Sequence, residues 1–479
     1  MLGALTPASV TRVSSEVKPT RAVGRDRTLT WVAVGTALVL VTYVTPIATL
    51  ARSAPDLGAG PAARAWILSS MSVGLAAALL AAGVAGDTRG RRRVYLGGLV
   101  LMGGGAAVCA LAWEPWLLVG ARVVQGVGGA AVLACGLALL AGSTEPGPAR
   151  TRATAVWGAS VGVGITAGSL LALALDLDAA WASGWRETYA VTAVLVLATV
   201  VPTRRGVPAP PGVPGRVDLP GLALLSLAAT ALVAALTQGR GGVDLLTVLL
   251  GVVAVAALLG FLAVERRVPA PLLDPALLRD PRFRAATTGS LVLGLGIIGT
   301  TSYLPTLVDA GLDRGLAVAT VPVLGWSLTS VAASVLLPRL RVAPSGPRAI
   351  AVLLVGVAVG QLLCLGVSAD SALWQLTGAM VVAGVATGAL NATLGREAVA
   401  SVPPARAAMG SGANNTARYL GAACGITLFA TVAQLPEDVR VGFDAAIVAS
   451  AGLTLLGAAT IASFGRRHTP ARPVPSTSG

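Results

Sequence analysis

The sequence predicts an all-α membrane protein, with 14 transmembrane helices as two six-helix bundles plus an inserted helix pair. Three observations carry that expectation. The first is composition. Of 479 residues, 55% are hydrophobic and 12% charged, with 59 glycines, whereas a soluble domain carries about 25% charged residues. So little charge leaves too few polar groups to cover a soluble surface of this size. The second is a succession, from residue 29 onward, of apolar runs long enough to span a bilayer. The third is the placement of the arginines, which alternates from loop to loop.

Rare residue types narrow the chemistry. Lys18 is the sole lysine and lies in the polar N-terminal tail, so no phosphate-cradling GxxxxGK loop and no ATP-driven motor is encoded. A Schiff-base lysine is absent on the same ground. His468, the sole histidine, lies in the C-terminal tail, which removes HExxH zinc sites and histidine relays. Cys109, Cys135, Cys364 and Cys424 stand singly in apolar segments without metal-ligand spacing. They read as small packing residues. No metal and no cofactor is expected, and a soluble enzyme, a disordered chain and a disulfide-rich secreted chain are excluded.

Residues 1–28 are polar and basic, without a short apolar core or a small-residue cleavage site, and read as a cytoplasmic tail. Spans one to six are expected at 29–51, 64–86, 94–113, 116–142, 153–175 and 187–202, giving an N-terminal bundle over 29–202. The sixth is short. Residues 203–218, TRRGVPAPPGVPGRVD, form a proline-rich basic linker. Spans seven and eight, 219–237 and 245–264, form the inserted pair over 219–264, which has almost no polar content and is expected at the periphery. A second linker follows at 265–283. Spans nine to fourteen are expected at 284–308, 316–337, 349–368, 372–395, 409–434 and 445–464, giving a C-terminal bundle over 284–464. Pro322 interrupts the tenth. Residues 465–479 form a second cytoplasmic tail.

On these boundaries the two tails and every second loop hold 27 of the 35 basic residues, and the alternate loops hold 6. Arg122 and Arg418 fall inside helices. Basic residues in short loops mark the cytoplasmic face, so both termini are expected there. The net charge of +14 is then a topology signal, and a nucleic-acid partner is not implied.

The segment Gly83–Val94, GVAGDTRGRRRV, joins spans two and three on the cytoplasmic face. Asp87 can cap the following helix or pair with an arginine, and Gly90 permits a tight turn. Arg89, Arg91, Arg92 and Arg93 anchor the loop. An ordinary basic loop explains the arginines but not the glycine–aspartate–glycine spacing. In span four, LLVGARVVQGVGG places Arg122 and Gln125 three residues apart on one helical face. An arginine this far into a span must face protein or water, and a structural contact to carbonyls remains an alternative. Glycine pairs at GxxxG spacing, Gly158/Gly162 and Gly164/Gly168 in span five and Gly421/Gly425 in span thirteen, suit close helix packing.

These segments resemble the major facilitator superfamily, whose loop between helices two and three reads G-x-L-a-D-r-x-G-r-k. Gly83, Asp87, Gly90, Arg91 and Arg92 match it, while Ala85 and Thr88 depart from it. Leu118, Arg122, Gln125, Gly126 and Gly128 match the helix-four pattern l-x-x-x-R-x-x-q-G-x-g. Over residues 29–464 the chain is similar to the fourteen-helix drug:proton antiporter branch, with further likeness in APLLDPALLRDPRF (270–283), Gly184-Trp185-Arg186 and NNTARYLG from Asn414. The resemblance implies the major facilitator fold. It also implies multidrug-like efflux across the plasma membrane by alternating access, with a small-molecule substrate, the lipid bilayer and protons as partners and no ATP. It gives Asp87 and its neighbours a gating role and links Arg122 to proton handling.

Departures from the branch bear on coupling. The helix-five pattern g-x-x-x-G-P-x-x-G-G survives only as Gly164 and Gly168, with Ser169 in place of the proline and Ala172 and Leu173 in place of the last glycines. Thr42 stands where many members carry an aspartate. None of the 21 acidic residues is assigned to the middle of a span; Asp176, Asp178, Glu187 and Asp309 lie near outer ends. Proton coupling needs a carboxylate that gains and loses a proton, so here it rests on the resemblance alone.

The candidate substrate or proton pathway consists of Arg122, Gln125, Asn415, Arg418, Asn391, Thr387, Tyr43, Tyr303 and Trp326. For the aromatics and amides, helix packing is an equal explanation. Arg418 differs, because burying it about 15 Å into span thirteen for packing alone is costly. A positive, acid-poor interior predicts a neutral to weakly acidic amphipathic substrate. An uncoupled facilitator, an uptake permease and a transport-inactive sensor stand as alternatives.

Overall fold

The computed structural model describes residues 19–177, 184–209, 211–213, 218–239, 242–268, 277, 279–306, 308, 316–339, 344–367 and 372–466. Among them the regular structure is helical throughout. The first group comprises α1 (Pro19–Asp56), α2 (Pro61–Arg89), α3 (Arg91–Ala110), α4 (Pro115–Ser143), α5 (Pro148–Leu177), α6 (Trp185–Ala198) and α7 (Val200–Gly206). A hairpin of α8 (Leu219–Gln238) and α9 (Leu245–Glu265) follows. The last group is α10 (Pro281–Leu293), a π-helical turn (Gly294–Ile298), α11 (Gly299–Thr306), α12 (Leu316–Arg339), α13 (Gly346–Leu362), α14 (Ala372–Ala400), α15 (Ala407–Ala433) and α16 (Val439–Arg466).

Helix starts follow local chemistry. Proline occupies the first turn of α2, α4 and α10, where its missing N–H leaves no intrahelical bond unmade. Asp218, Asp244 and Asp280 cap α8, α9 and α10 by accepting from the amides of Gly221, Thr247 and Arg282. At Asp244 the side-chain and amide hydrogen bonds of Thr247 lower the carboxyl to about 2.

Among the described residues, 11 helices are long and apolar enough to cross a membrane. The positions expected for spans six, ten and eleven fall outside that set. The α6 helix has 14 residues and is separated from α7 at Thr199, while the apolar stretches at 321–336 and 346–362 are shorter than a full span. Several helices outrun the expected boundaries. The α1 helix begins at Pro19, inside the expected tail, and α14 continues to Ala400. Hydropathy marks where the bilayer begins, whereas helical hydrogen bonding stops only at a breaker or a cap. The α12 helix runs through Pro322, which lies past its first turn and so removes one intrahelical bond without ending the helix. Span nine is divided by the π turn.

One buried core gathers Leu75, Leu79, Tyr95, Leu99, Met102, Leu133 and Trp157 of α2 to α5. Another gathers Leu293, Ile297, Leu354, Met380, Leu390, Phe443 and Ile447 of the last group. The hairpin lies outside both. Ala229 and Val233 of α8 pack with Val73 and Ala76 of α2 and with Ala423 of α15, so α8 lies across the line where the two groups meet. The α9 helix leaves Val248, Leu249, Val252, Val255 and Leu259 exposed, as a helix bathed in lipid does.

Candidate functional site

The loop matching the sequence motif forms a cross-molecule latch. Asp87, at the end of α2, accepts from Arg91 Nε at 2.9 Å on Oδ1. The same carboxylate reaches the first turn of α15, accepting the Ala408 amide at 3.2 Å and the Met409 amide at 2.9 Å. Free amides and the helix dipole make that terminus a natural anion site. Arg91 Nη2 extends the latch by donating to the Pro404 carbonyl at 2.5 Å. Arg92 Nη1 turns the other way, to the carbonyls of Val207 at 3.0 Å and Arg204 at 3.2 Å. Gly90 holds φ at 104°, in the region that favours glycine. A Cβ at Gly83 would stand 2.5 Å from the Ala408 carbonyl oxygen, so α2 and α15 meet there backbone to backbone. The five predicted loop residues therefore lie together, at the basic end of the helices.

A second seam joins α5 to α12 and α14. Ser327 Oγ donates to the Gly162 carbonyl at 2.9 Å, and Thr166 Oγ1 donates to Ser327 Oγ at 2.9 Å. A Cβ at Gly158 would stand 3.2 Å from the Ala392 amide nitrogen. Gly164 and Gly168 face elsewhere, against α1, where added Cβ atoms would meet the Ala37 carbonyl at 2.3 Å and Val44 at 2.5 Å. One helix thus uses one glycine pair on each of two faces.

The predicted pathway residues divide among several places. Arg122 is fully buried within the first group; its Nε donates to the Ile67 carbonyl at 2.9 Å and its Nη1 to the Thr42 carbonyl at 3.3 Å. Gln125 Oε1 accepts from the same Nη1 at 3.4 Å. Arg122 ties α4 to α1 and α2 through carbonyl oxygens. Trp326 and Thr387 pair with each other across α12 and α14 at 3.3 Å. Asn391 lies on α14 by the Gly158 contact, its Oδ1 buried without a partner among the described residues. The side chain of Tyr303, with those of Asp176, Asp178 and Asp309, lies outside the described residues.

Arg418 and Asn415 lie on α15 where the groups meet, and Tyr43 of α1 reaches the same helix at Tyr419. Arg418 is 6% exposed, and its Nε and Nη2 have no hydrogen-bond partner among the described residues. Asn415 Nδ2 donates back to the Ser411 carbonyl at 3.0 Å. The ring of Tyr43 lies 5.8 Å from that of Tyr419 across α1 and α15, and its hydroxyl is 3.1 Å from Ser72 Oγ. Beside Arg418, α15 packs tightly on the π turn; a Cβ at Gly294 would stand 2.2 Å from the Arg418 carbonyl oxygen. Behind that turn, Gln361 Nε2 donates to Ser450 Oγ at 2.8 Å and Thr300 Oγ1 at 3.0 Å, and Ser450 donates to the Gly296 carbonyl at 3.1 Å. This network absorbs a carbonyl in the stretch where the regular α-helical pattern is interrupted.

Two ion pairs escaped sequence reasoning. Glu397, fully buried, accepts from Arg282 Nε at 2.9 Å and Nη2 at 3.3 Å and from the Gly346 amide at 3.2 Å. Its signal was an acid in the last turn of an apolar helix, hidden because span twelve was ended at residue 395. At the end opposite the latch, Asp56 accepts from Trp185 Nε1 at 2.9 Å and pairs with Arg186. The Trp185 hydrogen bond, then that of Arg186, hold the Asp56 carboxyl below its ordinary range. Arg186 also donates to the Ala112 carbonyl at 3.0 Å, so α1, the α3–α4 turn and α6 close on one another.

Comparisons with known proteins agree with this architecture. The family description "Major Facilitator Superfamily" matches residues 30–426. The probable actinorhodin transporter of Streptomyces coelicolor is 29% identical over 79% of this chain and 67% of its own length. The cephamycin export protein CmcT of Amycolatopsis lactamdurans is 31% identical over 83% of both chains. Some other curated relatives are matched over only half their length. Among solved structures, the human organic anion transporter MFSD10 superposes with a TM-score of 0.66 at 18% identity, covering 91% of this chain and 99% of that one, which is a likeness of fold. With the family matched across most of its length and all its described structure helical, this multi-pass membrane chain belongs to the major facilitator superfamily of transporters and is not an enzyme.

Proposed function

We propose that the protein is a secondary transporter of the plasma membrane that exports a small amphipathic organic molecule by alternating access. The six helices on either side of the inserted pair act as two bundles rocking about a central site, with fourteen crossings and both termini in the cytoplasm. The observation that carries this reading is the Asp87 latch. One carboxylate, fixed by Arg91, holds two amides of the opposite bundle. Such a bond closes the basic, cytoplasmic end and breaks when the transporter turns inward. Its export direction is supported by relatives named for antibiotic export and resistance.

Inward proton movement is the coupling proposed first, on the likeness to drug:proton antiporters. One observation favours a second reading, an uncoupled facilitator: among the described residues no carboxylate pairs with Arg418. Purified protein in liposomes loaded with a pH-sensitive dye separates the two. Proton flux on substrate addition supports antiport, and substrate flux without it supports the facilitator. Absence of flux for a broad set of amphipathic compounds would sink the transport reading.

A further inference from the structure

We infer that Arg418 is the anchor for an anionic group, a carboxylate above all, on an amphipathic substrate, and that the transporter selects organic acids. The inference deepens the transport reading and rests on it. Direction comes from the neighbours of Arg418 on α15. Ser411 donates to the Leu133 carbonyl of α4 at 3.2 Å, Asn414 donates to the Ala286 carbonyl of α10 at 2.9 Å, and Tyr419 meets Tyr43 of α1. With about 100° between successive residues, Arg418 falls between the direction of Ser411 and that of Asn414. Its side chain therefore leaves α15 between α4 of one group and α10 of the other, at the junction of the two groups.

The atoms left free specify the ligand. Nε and Nη2 of Arg418 are fully buried with no hydrogen-bond partner among the described residues, and their N–H bonds run parallel along one edge of the guanidinium. That edge takes a carboxylate in bidentate fashion. The chain itself displays the filled version. Arg282 presents the same two nitrogens to the two carboxylate oxygens of Glu397. Arg122 differs, since a backbone carbonyl takes its Nε. Arg418 is thus a buried carboxylate receptor whose counter-charge is not supplied by the described residues. A permanent cation in that site meets an uncompensated positive charge at low dielectric, which is strongly unfavourable. Tyr43 and Tyr419 provide the aromatic surface for an apolar body beside the charge.

The test uses three fluorescent probes with one apolar body: pyrenebutyrate, pyrenebutanol and a pyrenebutyl trimethylammonium. Binding is titrated on full-length protein in uncharged-lipid nanodiscs at neutral pH. The acid is expected to bind about tenfold more tightly than the alcohol, a typical value for a charge-assisted bidentate contact, and the cation least tightly. Arg418→Gln should abolish the preference for the acid while leaving the alcohol unchanged, and Arg418→Lys should retain part of it. If Arg418→Gln fails to fold, Asn415→Asp decides, because it sets a carboxylate one turn away and should reverse the order of acid and cation. Equal binding of acid and alcohol to the native protein, or a preference for the acid that survives Arg418→Gln or Asn415→Asp, overturns the inference. Binding is read without transport, so selective binding with no solute flux in liposomes would defeat the transport reading and leave only Arg418 as an anion anchor standing.

Discussion

Glu397 and Arg282, separated by 115 residues in sequence, join the last turn of α14 to the first turn of α10 through two hydrogen bonds. The carboxylate is fully buried, whereas the arginine is 52% exposed. Removal of either partner is therefore unequal in cost. Arg282→Gln strands a buried charge and should cost about 2–3 kcal/mol, discounted for the solvent that already reaches the arginine. Glu397→Gln strands only an arginine that water can solvate, and should cost less. Thermal unfolding of the two variants in detergent checks the order; equal or reversed losses would contradict it.

Loosening the latch should favour the state open at the basic end. Asp87→Asn keeps the shape but loses the ion pair with Arg91 and weakens the contacts with the Ala408 and Met409 amides. Lost charge-assisted bonds shift such an equilibrium about tenfold or more. Transport should drop sharply with expression near normal. Cys135, fully buried on α4 beneath Gly86, should at the same time become more reactive to maleimide, resolved by peptide mass spectrometry. Unchanged transport would remove Asp87 from the gating role.

Gly83→Ala tests the same seam by shape instead of charge. The new Cβ would sit 2.5 Å from the Ala408 carbonyl oxygen, and overpacking of this kind costs about 1–3 kcal/mol. Gly97→Ala is the control, since a Cβ there meets nothing within 4 Å. The first variant should raise Cys135 labelling and the second should not.

The Asp56 clasp carries a signed pH dependence. Its carboxyl is held below the ordinary range, first by Trp185 and then by Arg186. A lowered value in the folded state means the stabilisation is complete above the unfolded value of about 3.9 and is lost as pH falls through the folded value. Native protein should therefore be more stable than Asp56→Asn at neutral pH, with the difference closing below about pH 4. A difference that stays constant across that range would exclude the ionised clasp as its source.

Hydropathy and loop spacing made the helical segments and the Asp87 loop legible, because both are local properties of sequence. The partners were not. Nothing around Asp87 says that its carboxylate finds amides 321 and 322 residues away. Arg122 carried a visible cost of burial, but its resolution by carbonyls of α1 and α2 depends on how three helices cross. The π turn is invisible to a hydropathy pattern, since Gly294–Ile298 continues the apolar run of Leu291, Val292 and Leu293 before it. Arg418 was legible as an expense and became informative only when the free edge of its guanidinium was seen.

The latch also divides the burden of heredity unevenly between its two sides. On one side stands a single carboxylate, whose charge no neutral side chain offers and whose reach glutamate does not match. On the other stand two peptide amides, which every residue except proline supplies. Residues 408 and 409 can drift in identity while the contact persists, limited only by the space that Gly83 leaves. Half of this gate is written in the sequence, and half belongs to the polypeptide itself.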